Sequence, residues 1–114
     1  MNKTIGIIPT IIEKNKSLFF SLDYGLLNFL KKCFSEYEQK FLINKNVNIK
    51  LDLIVSVGGN TITLFDKNSA NKFRADLDEF YLKLSLKNEI PYLGICHGAQ
   101  FLANFFDSYI KKKK

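Results

Sequence analysis

An α/β domain with a parallel sheet covered by helices on both faces is predicted by three apolar runs, each leading toward a helix-like pattern. The runs are residues 5–8, 51–57 and 91–96. Strands buried on both faces read as nearly continuous apolar stretches. Their alternation with segments of helical spacing is the pattern of βαβ units. The 114 residues allow one domain with a modest core. A hydrophobic content of 46% with 11 Phe marks a folded, globular chain.

The first strand is residues 3–8, nearly all apolar after Thr4, and Pro9 ends it. Residues 11–20 are mixed and are expected to be a connection over the carboxyl edge of the sheet, where functional loops collect in this fold class. Ser21 is expected to cap a helix whose apolar positions are Leu22, Leu26, Phe29, Leu30 and Cys33, with Asp23 in its first turn. Gly25 weakens that helix by about 1 kcal/mol. Residues 40–43 suit a short edge strand, and 44–50 a polar connection with three asparagines.

Residues 51–57 form the next buried strand and run into Gly58-Gly59-Asn60. Paired glycines there permit positive φ and let backbone amides face an incoming atom; a plain tight turn is the alternative. Residues 71–87 carry Phe73, Leu77, Phe80 and Leu84 at helical spacing, with Asp76, Glu79, Lys83 and Lys87 for the wet side. Pro91 opens the last strand, and Leu102, Phe105, Phe106 and Tyr109 follow at helical spacing.

Charge and cysteine content exclude several classes. The formal charge of +6 falls to +2 without Lys111 to Lys114, so the basic character is a local tail, 111–114, on a domain of residues 1–110. That tail lacks interleaved aromatics, Arg or a second basic patch, so neither nucleic acid nor a membrane is expected as partner. No apolar run approaches the roughly 18 residues of a membrane span, and no secretory signal opens the chain; a cytoplasmic location is expected. Cys33 and Cys96 have no metal or disulfide spacing, so no metal and no cofactor are expected. Cys33 is expected in the core.

Cys96 is different. It follows a buried run and precedes a helix, which puts its sulfur at the carboxyl edge of the sheet and at a helix N-terminus, where a thiolate is favoured. With Gly58-Gly59 as a candidate oxyanion loop, that is the setting of a nucleophile. A buried, inert cysteine is the structural alternative.

Gly94-Ile95-Cys96-His97-Gly98-Ala99-Gln100 resembles the G-x-C-x-G-x-Q nucleophile elbow of class I glutamine amidotransferases, and residues 53–60 resemble the strand and double glycine that precede it. The opening Ile5-Gly6-Ile7-Ile8-Pro9, with Leu22-Asp23-Tyr24, is similar to the gamma-glutamyl hydrolase (peptidase C26-like) branch. Within it, the compact spacing looks most like the gamma-glutamyl-CDP-amidate hydrolase-like subfamily of bacterial capsule modification. The resemblance implies a flavodoxin-like three-layer sandwich, incomplete at this length, and a glutaminase-type cysteine hydrolase acting on glutamine or a gamma-glutamyl amide. It also implies Cys96 as nucleophile, the amides of Gly59 and His97 as oxyanion donors, and Gly58, Asn60 and Gln100 as substrate contacts.

Two departures accompany the resemblance. The branch commonly has arginine where this chain has His97, and its Arg-Asp-x-x-Glu pattern is present only partly, as Arg74, Ala75 and Asp78. The family's triad histidine and acid lie well after the nucleophile, whereas this sequence runs 18 residues past Cys96 and holds His97 as its single histidine. Neighbouring helical positions point about 100° apart, so His97 is a poor base for Cys96. Impaired catalysis, a truncated or split enzyme, and self-association through an exposed sheet edge are the resulting expectations. A non-catalytic module of the same fold and a redox cysteine protein of the DJ-1-like group stay open as alternatives.

Overall fold

The structure is a computed structural model and describes residues 3–46, 48–58, 69–95 and 97–113. Four strands form one parallel sheet: β1 (Lys3–Ile8), β4 (Tyr37–Phe41), β5 (Leu53–Ser56) and β6 (Tyr92–Gly94), in the order β4-β1-β5-β6. All three pairings are parallel, with Ile7 opposite both Phe41 and Val55, and Val55 opposite Leu93. The helices are α1 (Tyr24–Cys33), α2 (Ser69–Asn88) and α3 (His97–Lys113). This is the α/β architecture read from the sequence. Because winding starts at β1 and proceeds to both sides of it, the carboxyl ends of β1 and β5 diverge at a switch point, where ligand crevices open in such sheets.

The apolar runs work because each strand faces two layers. Ile5, Ile7, Val55 and Val57 pack with Leu30 on the α1 side. Ile8 and Ile54 pack with Leu77 and Tyr81 on the α2 side, where Ile11, Leu42 and Leu51 complete the cluster. Among the described residues, β4 and β6 each have a sheet partner on one side, and Leu93 of β6 is exposed.

Residues 11–20 are not an irregular connection. They form a hairpin of β2 (Thr10–Lys14) and β3 (Ser17–Ser21), with Thr10 opposite Ser21 and Lys14 opposite Ser17. Asn15 and Lys16 both take positive φ, 52° and 65°. Two left-handed residues are what a tight two-residue turn between right-twisted strands requires. Lysine gives no sequence signal for that conformation, which is why the hairpin escaped the pattern. Ile11 buries into the core and Phe20 meets Phe73 of α2 at 6.0 Å between ring centroids, so the hairpin closes over the start of that helix.

The cap of α1 is Asp23 rather than Ser21. Ser21 is spent in the β3 ladder, whereas extended Asp23 accepts from the Leu26 amide at 2.9 Å. The buried stripe of α1 is narrower than its spacing suggested. Leu30 is 1% exposed, Leu22, Leu26 and Phe34 are partly covered, and Phe29 is 59% exposed. Cys33 is exposed, not a core residue. The edge strand sits earlier than expected, at Tyr37–Phe41, because β1 pairs along its length from Lys3 opposite Tyr37. The strands within 51–57 and 91–96 are shorter than their apolar runs, since pairing stops at Ser56 and Gly94.

α2 differs most in character from its sequence reading. Of the four expected core positions Leu77 is buried, and Phe73, Phe80 and Leu84 flank the cluster. The buried stripe instead runs through Ala70, Asn71, Arg74, Leu77, Asp78, Tyr81, Leu82 and Ser85, so charged side chains lie inside. Asp76, Glu79, Lys83 and Lys87 face solvent as the pattern implied, with Lys83 and Glu79 paired at 2.9 Å.

Candidate active site at the carboxyl edge of the sheet

β6 ends at Gly94 and α3 begins at His97. The Ile95 amide donates to the Ser56 carbonyl at 2.8 Å, extending β6 along β5 to the last point before the turn, and the Gly98 amide donates back to the Ile95 carbonyl at 3.1 Å. A β-carbon on Gly94 would lie 2.6 Å from the backbone carbonyl of Gly98, and one on Gly98 would lie 2.4 Å from the Ser56 carbonyl oxygen. Both glycines are therefore fixed by close backbone approach. Their spacing makes a strand–turn–helix elbow whose helix starts directly on β5.

Beneath the elbow lies a buried polar network. Arg74 and Asp78, one turn apart on α2, are both 0% exposed, with Nε of Arg74 3.2 Å from Oδ2 of Asp78. Arg74 also donates to the Pro9 carbonyl at 3.1 Å, to Oγ of Ser56 at 2.8 Å and to the Val57 carbonyl. Oδ1 of Asp78 accepts from the Ser56 hydroxyl at 2.7 Å and from the Tyr92 hydroxyl at 3.1 Å. Opposite charge, the several guanidinium hydrogen bonds and two hydroxyls compensate the desolvation that burying such ions costs. Burial pulls the Arg74 guanidinium below its usual value and Asp78 opposes that; a guanidinium stays protonated throughout the working range. Burial pushes the Tyr92 hydroxyl well up, and the negative Asp78 pushes it further. Tyr92 is a neutral donor here.

The loop leaving β5 is tied as well. Thr10, the first residue after Pro9, donates from Oγ1 to the Gly58 carbonyl at 2.5 Å, and the Val57 amide donates to the Ile8 carbonyl at 3.2 Å. The carboxyl ends of β1, β5 and β6 are thus joined by named bonds at the switch point.

Of the sequence-derived site residues, Gly58 lies at this edge, and His97 and Gln100 fall in the first turn of α3. Cys96, Gly59 and Asn60 lie outside the described residues. Gly58, Ile95 and His97 flank them in the chain, and β5 and β6, which end at Ser56 and Gly94, are neighbours in the sheet. Sequence reasoning missed Ser56, Tyr92 and Thr10 as members of this edge and took Arg74 and Asp78 only as a partial motif. Their signal was present: positions 74 and 78 fall on the helix stripe that also carries Ala70, Leu77 and Tyr81, so two charges sat where core was due.

Among the described residues no cluster of three His, Cys, Asp or Glu could hold a metal. No helix among them is long and apolar enough to cross a membrane. A cavity of about 270 Å³ beside the end of β1 is lined by Pro9, Phe20, Ser21, Leu22, Phe41 and Ile43. It offers apolar surface and one hydroxyl, with no titratable group for chemistry.

No family model matches the chain. The chain is 32% identical over 119 aligned positions to the gamma-glutamyl-CDP-amidate hydrolase of Campylobacter jejuni, and the alignment takes in 93% of its residues. It spans 56% of that relative's length.

Proposed function

We propose that this chain, a relative of the gamma-glutamyl hydrolases of the class I glutamine amidotransferase type, carries the nucleophile-bearing part of a gamma-glutamyl amide hydrolase. The observation that supports this most is the elbow at Gly94–Gly98, set on the carboxyl end of β5 so tightly that neither glycine admits a side chain. In this reading the turn presents Cys96 at a helix N-terminus.

In this reading the Cys96 thiolate attacks the γ-carbonyl carbon of the glutamyl amide. A carbon–sulfur bond forms and the oxygen takes the negative charge, stabilised by the backbone amides of Gly59 and His97. Collapse breaks the carbon–nitrogen bond and leaves a thioester; the amine departs with a proton. Water then cleaves the thioester to glutamate and free thiol. Gly58, Asn60 and Gln100 contact the glutamyl group. The substrate class is a small gamma-glutamyl amide, and the name of the relative makes a gamma-glutamyl-CDP-amidate the first candidate.

Both proton steps need a base and acid. His97, the single histidine of these 114 residues, directly follows Cys96 in the chain, and adjacent positions on a helix do not face each other. These residues by themselves should therefore acylate slowly and deacylate more slowly still.

Peptide mapping after exposure to the glutamine analogue 6-diazo-5-oxo-norleucine tests the proposal. An adduct on Cys96, absent from Cys33, is expected. Labelling of neither, or of both alike, would overturn it, and a sulfinic acid on Cys96 after mild peroxide would point to redox chemistry instead.

A further inference from the structure

We infer that Arg74 is a positioning residue for the elbow: through Ser56 it sets the height of the β6–α3 turn against the loop that begins at Gly58. This deepens the reading of Cys96 as nucleophile and rests on it.

Arg74 touches the ends of strands, not their middles. Pro9 and Val57, whose carbonyls it engages, are the first residues after β1 and β5, and Ser56 is the last of β5. An aliphatic side chain of similar volume would cover the sheet as well without the cost of burying a charge, and ion pairs in such places are weak contributors to stability. What a planar five-donor fork adds is fixed direction. It holds two carbonyls and a hydroxyl at once, at the ends of two neighbouring strands.

Ser56 is the joint. Its hydroxyl accepts from Arg74 and donates to Asp78, its carbonyl accepts from the Ile95 amide, and the Gly98 α-carbon lies against it with no room for a methyl group. Tyr92 braces the same carboxylate from β6. A shift of the guanidinium therefore moves Ser56, and a shift of Ser56 moves both sides of the turn that contains Cys96. The spread between a well-placed and a displaced reacting atom is large: about 1 Å of misplacement costs on the order of 100-fold.

The test uses the full 114-residue chain and its own second thiol as reference. Cys33 is exposed on α1, on the opposite side of the sheet from α2. Alkylation rates of Cys96 and Cys33 by iodoacetamide, and of Cys96 by 6-diazo-5-oxo-norleucine, are measured by peptide mass spectrometry from pH 5 to 10. The set comprises wild type, Arg74→Lys, Ser56→Ala and the exposed control Lys83→Ala.

Arg74→Lys keeps the charge beside Asp78 and loses the fork. It is expected to lower the Cys96:Cys33 rate ratio at least tenfold and to move the Cys96 pH midpoint, with Cys33 unchanged. Lys83→Ala should change neither thiol. If Arg74→Lys fails to fold, Ser56→Ala decides alone, and it should lower the ratio in the same direction. A folded variant whose Cys96 keeps the wild-type ratio and midpoint would overturn the inference. The iodoacetamide arm reads positioning even where the glutamine analogue labels nothing, an outcome that would remove the hydrolase reading and leave the positioning result standing.

Discussion

Removing the Arg74 side chain should destabilise the fold more than replacing the whole Arg74–Asp78 pair, because only the single change leaves a buried carboxylate without its cation. Arg74→Met strips the buried Asp78 carboxylate of its cation and leaves the carbonyls of Pro9 and Val57 without their guanidinium donors. Breaking a buried pair from one side costs about 3–5 kcal/mol, and each carbonyl left unpaired in the interior adds about 1–3 kcal/mol where water cannot reach it. Taken at the low end of these ranges, the single substitution is expected to cost about 5 kcal/mol. Against a typical domain stability of about 5–15 kcal/mol, that is enough to move the urea midpoint substantially. Arg74→Met/Asp78→Leu removes both charges and keeps the volume, which relieves the uncompensated carboxylate but leaves the same two carbonyls without a guanidinium donor. The double variant should therefore be more stable than the sum of the singles by at least about 2 kcal/mol. Urea unfolding of all four proteins at pH 7, by linear extrapolation, measures the cycle. An Arg74→Met cost below about 1 kcal/mol, or additive singles, would refute the claim that the pair is buried and mutually dependent.

Other consequences are independent of that cycle. Gly98→Ala puts a methyl group 2.4 Å from the Ser56 carbonyl, a backbone atom that cannot swing aside; it should cost about 1–3 kcal/mol in urea unfolding and suppress Cys96 labelling. Tyr92 is held neutral in the folded state, while the unfolded chain ionises it near its ordinary value of 10.0. The folded protein then binds more protons above pH 10, so stability is complete below pH 10 and falls as pH rises beyond it, by up to about 1.4 kcal/mol per pH unit for one group. Tyr92→Phe should flatten that slope in alkaline urea melts. Lys16→Gly relieves a left-handed lysine at φ 65° and should stabilise by about 1 kcal/mol, read as a rise in melting temperature. Asp23→Ala removes the α1 cap and should cost about 1 kcal/mol by the same melt.

The parallel sheet was legible because strands 5–8 and 53–56 face helices on both sides, and their apolar runs state it directly. The elbow was legible because its glycines are dictated by backbone contact, which no other residue can satisfy. The hairpin at 10–21 was not, since its turn uses Asn15 and Lys16, and lysine has no preference for positive φ. Its exposed Phe19 and Ile12 also broke the alternation that marks a half-buried strand. The network at Arg74 left its trace as two charges on the apolar stripe of α2, which does not name their partners. A charge on a helix is assigned to water unless its partners are known, and these partners come from residues as distant in sequence as Pro9 and Tyr92. Cys33 failed the other way: spacing placed it inside, but α1 buries too narrow a stripe to reach it.

In the proposed function Cys96 is a nucleophile aimed at a gamma-glutamyl carbonyl, and the single histidine of these residues is its chain neighbour. The most direct measurement is intact mass and peptide mapping after acid quench of the chain incubated with gamma-glutamyl-p-nitroanilide. Because thioester hydrolysis is the step that suffers most without a base, a glutamyl adduct should accumulate on Cys96 alongside released p-nitroaniline, and vanish in Cys96→Ser. No adduct on Cys96, or one that persists in Cys96→Ser, would contradict the claim.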